Sequence, residues 1–410
     1  MSGGPLSGIR VLDLSSVVVG PVATQFLADY GADVIKVEPP EGDLLRKLGG
    51  ASVTPDMASK FLHFNRNKRS LVLDLKRDDA RGVLRSICAE ADVVVVNMRG
   101  KALQRSGLTC EDLRAVNERL IYCRLAGFGQ AGPYAHKPAY DTIIQGSTGV
   151  AAALARVNGT PAYVPMVMAD HVVGLIAVQM ILLALYQRAR TGLGDSIEVP
   201  MFENMAAFVM AEHMYLRTFI PPLGGTGDPR IIDPESRPLP TRDGYICVSA
   251  NTDQQVFAFF AAVGCPELKS DPRFCSVVAR LNNVRAYFDF RSQALRSRTT
   301  AEWLEIFDRD SVPAMPYHTF ESLMEDPHLR DVGLLREVEH PSEGPIWNIG
   351  LPNTLKQGGA REDYLPPPKL GEHTHDVLEE FGYSQAEISR LTAASERTSG
   401  ATGTREGSSR

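Results

Sequence analysis

The sequence lacks the cysteine patterns that mark disulfide frameworks and zinc sites. Its 410 residues contain six cysteines, and no two of them form a CxxC pair or a spacing suited to a metal. In a chain this long, scattered cysteines are typical of buried thiols in a reducing compartment. The pattern therefore predicts a cytoplasmic protein without a metal centre. The cysteines are Cys88, Cys110, Cys123, Cys247, Cys265 and Cys275.

An excess of positive charge is also missing. The net charge is −6, which argues against nucleic acid as the main partner, because no basic surplus is available to displace counterions from phosphates. The longest apolar run covers about residues 172–186, is interrupted by Gln179 and is too short for a bilayer. The first residues lack the basic segment and apolar core of a signal peptide. We therefore expect a soluble enzyme that binds neither membrane nor nucleic acid.

Common motifs of phosphate binding and hydrolysis are absent. The first predicted strand is not followed by GxGxxG, and no Walker loop, GxSxG elbow or HExxH helix occurs. Glu38 ends the second predicted strand, where a dinucleotide-binding enzyme has its ribose-binding acid, but without the glycine loop this match is weak. The segment 372–375, Glu-His-Thr-His, is better explained as a helix entry than as a metal site. We expect no tightly bound cofactor.

The first forty residues contain a strand, a helix and a second strand. Residues 9–14 and 33–38 are short apolar runs, and Gly20-Pro21 between them suits the first turn of a helix. A strand–helix–strand unit of this length implies parallel pairing. The pattern predicts an α/β fold with an open, Rossmann-like parallel sheet, whose further strands are expected at 70–75, 91–96 and 120–125.

A stretch rich in glycine and proline, residues 221–240, separates two regions of the chain. A new strand is predicted directly after it, at 244–249, and opens a smaller α+β domain. The tail is rich in serine, threonine, glycine and arginine, which is typical of disorder. The predicted organisation is a large domain at 1–200, a linker helix at 201–224, a small domain at 225–325, a return to the large domain at 326–393 and a disordered tail at 394–410.

Asp170 is a single carboxylate between the apolar segment 161–169 and a long apolar helix. Aspartate is a favoured helix N-cap, although the capping-box partner is absent because residue 173 is valine. From the residues alone, capping and catalysis are equally well supported. The two roles are compatible, because a helix N-terminus stabilises an ionised carboxylate and keeps it nucleophilic at neutral pH.

The chain resembles the family III CoA-transferases from about residue 6 to residue 391, and eight segments carry the resemblance in the family's order. This family includes formyl-CoA transferase and carnitine CoA-transferases, with α-methylacyl-CoA racemase as a related branch. No single segment is decisive, but their common order makes a chance match implausible. The segments are GIRVLDLSSVVVGP, GADVIKVEPPEGD, NRNKRSLVLDLK, ADVVVVNMRGKAL, GFGQAGPYAHKPAYD, MADHVVG, RTGLGDSIEVPMFE and PPKLGEHT.

The resemblance implies transfer of coenzyme A from an acyl-CoA to a small carboxylic acid, both of which are substrates. Asp170 matches the family's nucleophile, which attacks the thioester to form a mixed anhydride and then carries CoA as an aspartyl thioester. An interlocked, ring-shaped homodimer is also implied. Positions matching CoA contacts are Ser16, Leu73, Lys76, Asn97, Arg105 and Lys137, and those assigned to the acyl pocket are Val18, Tyr140 and Asp141.

Each of these assignments has a simpler alternative. A lysine or arginine is most often a solvated charge, and Tyr140 also suits a core aromatic. The stretch 224–227, with Gly225 and Gly227, suits either a lid that keeps water from an anhydride or a flexible linker. Asn97 is more informative, because it ends an apolar strand at the edge where doubly wound sheets bind ligands.

The departures from the family pattern concern the substrate. Formyl-CoA transferase has His and Gln where this chain has Ser16 and Val18, which argues against oxalate and favours a bulkier or more apolar acid. A racemase that uses Asp170 as an acid/base is the first alternative function, but it needs a flanking partner that is not evident in the PAYD segment. A CoA-binding paralogue without turnover is the second.

Overall fold

The computed structural model of the protein describes residues 3–353, 355–356, 359 and 364–402, with side chains to residue 393. The strands are β1 (Arg10–Leu14), β2 (Asp33–Glu38), β3 (Lys68–Val72), β4 (Val93–Val96), β5 (Ile121–Ala126), β6 (Ser196–Pro200), β7 (Leu239–Pro240), β8 (Tyr245–Val248), β9 (Ala314–Pro316), β10 (Leu335–His340) and β11 (Gly344–Ile349).

The α-helices alternate with the strands in the first half of the chain and predominate after β6. They are α1 (Val19–Asp29), α2 (Ser59–Phe64), α3 (Asp78–Ala89), α4 (Gly100–Ser106), α5 (Cys110–Arg114), α6 (Asp141–Ser147), α7 (Val150–Asn158), α8 (Met168–Thr191), α9 (Met201–His213), α10 (Asp253–Ala262), α11 (Val277–Asn282), α12 (Val284–Ala294), α13 (Thr300–Arg309), α14 (Phe320–Met324), α15 (Pro327–Asp331), α16 (Thr374–Glu380) and α17 (Gln385–Thr402). Short 3-10 helices occupy Leu44–Arg46, Tyr215–Thr218, Pro266–Ser270 and Leu295–Ser297.

The chain forms two compact units. Unit 1 contains the described residues up to Ile144, Val167–Met205 and those from His328 onward, and unit 2 contains Gln145–Met166 and Ala206–Pro327. Residues 145–166, predicted in the large domain, therefore belong to unit 2. The side chain of Gln145 explains this, because its amide binds Val164 N and Met166 O at the other end of the segment.

Two other expectations about the chain's organisation need correction. The linker helix predicted at 201–224 is shorter, because α9 ends at His213 and is followed by the 3-10 helix Tyr215–Thr218. Residues of α9 up to Met205 belong to unit 1 and the rest belong to unit 2. The tail predicted to be disordered from 394 continues α17 as far as Thr402. Residues 403–410 lie outside the described part of the chain.

The sheet of unit 1 confirms the predicted Rossmann-like architecture. In the described residues it has six parallel strands in the order β3-β2-β1-β4-β5-β6. The chain moves outward from β1 in one direction and then from β4 in the other, so the strand order reverses between these two neighbours. Leu14 pairs in register with Val96, which places the loops after β1 and β4 side by side. Doubly wound sheets bind ligands at this position.

The start of β3 differs from the sequence prediction for a physical reason. The strand begins at Lys68, whereas the apolar pattern suggested residue 70. Lys68 is fully buried, and its ammonium lies 3.0 Å from a carboxylate oxygen of Asp13 on β1. A buried ion pair therefore allows a charged residue to occupy a strand position that an apolar pattern does not reveal.

Helix α8 packs against α1 in unit 1. Gly174 permits the close approach, because a Cβ at this position would lie 2.8 Å from Val19 O. Among the described helices, α8 alone is long and apolar enough to cross a bilayer by length and composition. Its buried face, which includes Ala169, Val173 and Ala177, is that of a core helix, so this is weak evidence for a membrane span.

Unit 2 has the predicted α+β character. Its antiparallel sheet, β7-β8-β9, carries helices over an aromatic core. The large buried side chains of that core are Phe259, Phe260, Phe274, Tyr287, Trp303 and Phe307.

Candidate active site

Two cavities adjoin at the carboxyl ends of β1 and β4. The smaller has a volume of about 450 Å³ and contains Asp170, and the larger has a volume of about 880 Å³. Both are lined by Ser16 of the loop after β1 and by Asn97, Met98 and Arg99 of the loop after β4. The two strand-end loops therefore form the boundary between the cavities.

The loop after β1 is held in a strained conformation. Val17 has φ +68°, a left-handed value that is unfavourable for a β-branched residue. Its N–H donates to Asp43 at 3.1 Å, and the other oxygen of Asp43 lies 2.8 Å from the Lys36 ammonium. Lys36 in turn donates to Ser15 O at 3.0 Å, so a buried ion pair fixes the loop at two points.

Asn97 joins this loop to the end of β4. Its side-chain oxygen accepts from Ser16 N at 3.2 Å, and its amide donates to Ser16 O at 2.8 Å. Asn97 lies at the strand end that the sequence predicted. The reciprocal pair explains why an amide is suited to this position, since it both donates and accepts.

A second buried cluster lies beneath the loop. Asp13 accepts hydrogen bonds from Thr24 at 2.6 Å and from the hydroxyl of Ser15, in addition to the ion pair with Lys68. Burial alone would raise the pKa of Asp13, but Lys68 and Lys36 hold it well below its ordinary value. Burial lowers the pKa of Lys68 to about 8, against the opposing effect of Asp13. The buried negative charge of Asp13 is therefore balanced by the positive charges of Lys68 and Lys36.

Asp170 is not the N-cap of α8. The N-cap is Val167, which makes Asp170 the third residue of the helix. Asp141 supplies the capping carboxylate, because its Oδ1 accepts from Ala169 N at 2.7 Å and from Asp170 N at 3.2 Å. The capping role that the sequence suggested for Asp170 thus belongs to Asp141, and the Asp170 carboxyl does not cap the helix.

The electrostatics of Asp170 also differ from the expectation. The residue is only 9% exposed, and burial, followed by the nearby negative charge of Asp141, raises its pKa from 3.8 to about 7. The helix N-terminus therefore does not keep this carboxyl strongly acidic, because Asp141 already occupies the free N–H groups. A carboxyl with a pKa this high in a cleft is typical of functional sites.

The larger cavity gathers most of the predicted CoA contacts. Leu73, Lys76 and Arg105 line it with Ser16 and Asn97, and Lys137 lines the smaller cavity beside Asp170. Lys137 also lies over the ring of Tyr134, 4.3 Å from its centroid. These residues follow four different strands, β1, β3, β4 and β5, so their convergence is a result of the fold.

Residues predicted to shape the acyl pocket are distributed differently. Val18 lines the smaller cavity and packs with the buried residues Leu45 and Phe61. Tyr140 lines the same cavity but is 63% exposed, which excludes the core-aromatic alternative. Asp141 is not among the residues that line the cavity, and it caps α8 instead.

The glycine stretch lies in unit 2. Gly227 has φ +91°, and its N–H donates to His213 O at 2.8 Å. Arg156 donates to Thr226 O at 2.7 Å. These contacts hold the stretch within its own unit, and a lid role for Gly225 and Gly227 stays a prediction.

Several lining residues were missed by the sequence reasoning. Arg99 lines both cavities and lies two residues after Asn97, so the same strand-end argument would have found it. Arg124 lies within β5, in register with Val96, and lines the smaller cavity, but no sequence motif distinguishes it. Other missed residues are Arg81 in the larger cavity and Lys101 and His136 in the smaller one.

No cluster of three or more potential metal ligands occurs among the described residues. His373 is instead the N-cap of α16, and its Nδ1 accepts from Ser70 N at 3.2 Å. The segment 372–375 is therefore the helix entry that the sequence suggested.

Known proteins resemble this chain in sequence and in fold, and the similarity covers almost their whole length. A succinate–glutarate CoA-transferase from Agrobacterium fabrum is 34% identical over 92% of this chain and 96% of its own length. A formyl-CoA:oxalate CoA-transferase from Rhodopseudomonas palustris is 30% identical over 94% of this chain and 95% of its own. The crystal structure of a CAIB/BAIF family protein from Brucella suis matches with a TM-score of 0.77 and 30% identity, over 92% of this chain and all of that one.

The family described as CoA-transferase family III matches residues 6–374, which include both cavities and Asp170. The protein is thus a CoA-transferase, and its chain belongs to family III.

Proposed function

We propose that the protein moves CoA from an acyl-CoA to a free carboxylic acid, with Asp170 as the covalent nucleophile. The observation that carries this proposal is the position of Asp170. Its buried carboxyl lines a cavity that adjoins a larger, cation-lined one at the ligand-binding edge of the sheet. The family assignment supports the reaction class, and this geometry supports the assignment of the nucleophile.

The two cavities suit the two ends of an acyl-CoA. Lys76, Arg99 and Arg105 of the larger cavity suit the phosphates of CoA, which need several cations. The pantetheine arm then passes Ser16 and Asn97, which line both cavities, and presents its thioester to Asp170.

The reaction proceeds through two intermediates. An oxygen of the Asp170 carboxylate attacks the thioester carbonyl, the C–S bond breaks, and a mixed anhydride and CoA thiolate form. The thiolate then attacks the aspartyl carbonyl, which releases the donor acid and leaves CoA bound to Asp170 as a thioester. The acceptor carboxylate repeats these steps in reverse, and the thiolate finally leaves with the acceptor's acyl group as a new acyl-CoA.

Burial makes the Asp170 carboxylate more reactive towards the thioester, but it also reduces the fraction of Asp170 that is ionised. A desolvated, oriented carboxylate gains from proximity to the thioester, but the same desolvation favours its protonated form. Because the pKa is about 7, a substantial fraction of Asp170 is ionised at neutral pH. A lid at 224–227 would protect the anhydride from water, and we retain it as part of the proposal.

Trapping tests the covalent mechanism. Incubation with an acyl-CoA and hydroxylamine should inactivate the enzyme and convert Asp170 to a hydroxamate, which is visible by mass spectrometry of its peptide. The Asp170→Asn protein should gain no hydroxamate. Solvent deuterium entering the α-carbon of the acyl group without an acceptor acid would instead indicate a racemase. CoA binding without turnover on any acid would indicate the inactive paralogue.

The acid exchanged is proposed to be larger than oxalate. Val18 lines the smaller cavity and packs against the buried side chains of Leu45 and Phe61, where formyl-CoA transferase has a polar glutamine. A dicarboxylic acid such as those named for the Agrobacterium relative fits this change. A panel of acids tested with succinyl-CoA and acetyl-CoA as donors will identify the substrate, and a preference for oxalate would contradict the proposal.

We further propose a homodimer, interlocked as in the family. Helix α8 exposes a stripe of large apolar side chains, Leu175, Leu182, Leu183 and Tyr186, which are 49%, 37%, 60% and 66% exposed. A second copy would cover such a stripe. Light scattering should show a dimer. The variant Leu183→Glu should disrupt this dimer, and Val116→Glu, at an exposed apolar position elsewhere, should leave it intact.

The six free cysteines support a cytoplasmic location for the protein.

A further inference from the structure

Unit 2 contains a cavity of its own, with a volume of about 730 Å³, lined by residues of β8, α11 and α12. Four arginines line this cavity. Three of them already pair with carboxylates, namely Arg230 with Asp228, Arg237 with Glu235 and Arg280 with Asp253. Their charges are therefore compensated within the protein.

Arg291 is the exception. Its side chain is buried, with 9% exposure, and within the described residues no carboxylate lies within ion-pair distance of it. It donates to Val248 O and lies beside the rings of Tyr287 and Phe288, 5.4 and 5.5 Å from their centroids. In the part of the chain that the structure describes, its Nε and the Tyr287 hydroxyl have no hydrogen-bond partner. A guanidinium removed from water without a counter-ion is costly, and an anion bound in the cavity would offset that cost.

The remaining lining restricts the chemistry of that anion. Leu281 and Val284 give the cavity apolar walls, and Met315 at its rim is 62% exposed. One uncompensated cation suits a single negative charge, whereas a phosphate dianion would leave a charge unpaired against apolar walls. A planar carboxylate also matches the fork of a guanidinium.

We propose that this cavity, which shares no lining residue with the cavity of Asp170, is an accessory site that binds a small carboxylate with an apolar body, such as an aromatic acid. The carboxylate pairs with Arg291, and the apolar body lies against Leu281 and Val284. This inference does not depend on the mechanism proposed for CoA transfer, because every residue that carries it belongs to unit 2.

Cys247 provides a local test in the unmodified protein. This thiol is exposed and lines the cavity, whereas Cys275 is exposed and is not among the lining residues. Benzoate should slow alkylation of Cys247 by a maleimide, followed by peptide mass spectrometry, and leave Cys275 unchanged. At about ten times its dissociation constant, roughly one site in ten stays free, so the reaction should slow about tenfold. Benzamide, with nearly the same shape and no charge, should not protect.

Variants then assign the protection to Arg291. Arg291→Gln should abolish it, and Arg291→Lys, which keeps a cation without the fork, should weaken it. Arg230→Gln, at a paired and exposed arginine of the same cavity, should keep it. Thermal unfolding checks that each variant is folded. The proposal is wrong if benzoate and benzamide act alike on the unmodified protein, if neither slows alkylation of Cys247, or if a folded Arg291→Gln protein is still protected.

Discussion

At the residue scale, helix capping and the proposed catalysis, both of which the sequence suggested for Asp170, involve two different aspartates. Asp141 caps α8 through the N–H groups of Ala169 and Asp170, and this leaves the Asp170 carboxyl available for chemistry. The division has an electrostatic cost, because the capping charge adds to burial in raising the pKa of Asp170, the proposed nucleophile. Asp170 is therefore only partly ionised at neutral pH, and burial and the charge of Asp141 both destabilise its ionised form.

Neutralising Asp141 should shift the pH dependence of CoA transfer. The Asp141→Asn side chain keeps an oxygen that can accept from the helix N–H groups but loses the charge, so the pKa of Asp170 should fall from about 7. Because the ionised form attacks in the proposed mechanism, the acidic limb of the rate profile should move to lower pH. Burial is the larger cause and persists, so the shift should be partial. Glu90→Gln, at an exposed acid outside both cavities, should leave the profile unchanged.

Removing the charge of Asp170 should stabilise the protein above neutral pH. The folded state raises this pKa from 3.8 to about 7, so it binds the proton more tightly than the unfolded state. Stability is therefore lost as pH rises between these values, by up to roughly 4 kcal/mol. Urea unfolding should find Asp170→Asn inactive but more stable than the unmodified protein at pH 8, with the difference vanishing near pH 4. Equal stability at pH 8 would contradict the pKa.

At the scale of elements, the loop after β1 depends on groups from other strands. Val17 adopts a left-handed conformation because Asp43 accepts its N–H, and Asp43 is held in turn by Lys36 on β2. Strain of this kind persists only where the surroundings determine it. Helix α8 is positioned differently, because Gly174 allows it to lie close to the backbone of α1 at Val19.

Weakening the contacts of Asp43 should impair CoA binding as well as stability. Asp43→Asn keeps an acceptor for Val17 N but loses the ion pair, and Asp43→Ala loses both. Leaving Lys36 buried without this partner should cost about 3 kcal/mol in Asp43→Ala, and less in Asp43→Asn. Because the loop lines both cavities, KM for acyl-CoA should rise in the same order. If stability falls in urea unfolding while KM stays constant, the contact has only a structural role.

At the scale of the whole molecule, the parallel sheet brings distant segments to one edge. Ser16, Lys76 and Asn97 follow β1, β3 and β4, yet all line the larger cavity because parallel strands end on the same side. The smaller cavity then adds Asp170 from α8. The chemistry of the site is thus assembled by topology from residues that show little local pattern.

The cations of the larger cavity should discriminate between CoA and dephospho-CoA. Replacing both Lys76 and Arg105 by alanine removes two charges near the proposed phosphates, so KM for acyl-CoA should rise about tenfold or more, with a small effect on kcat. The preference for CoA over dephospho-CoA should shrink in the same variant. Lys60→Ala, at an exposed lysine outside both cavities, should change neither quantity. An unchanged preference would place the 3′-phosphate elsewhere.

The sequence alone predicted the parallel sheet and made Asp170 a candidate for the catalytic carboxylate. The strands predicted at 33–38 and 91–96 are observed as β2 and β4, and the continuous valine run of β4 is typical of a strand buried on both faces. The strand end at Asn97 and the position of Asp170 at the start of an apolar helix were readable for the same reason. Asp170 remained divided between two roles until the ordered family segments were considered.

Only the tertiary structure decided how these groups act on one another. The cap at Asp141, the ion pair of Lys36 with Asp43, the burial of Lys68 and the unpaired Arg291 all depend on contacts between residues far apart in the chain. Local patterns carry no record of such contacts, because a charged side chain has the same letter whether it is solvated or buried against a partner. The pKa of Asp170 is set by burial and a neighbouring charge, so it belongs to the fold.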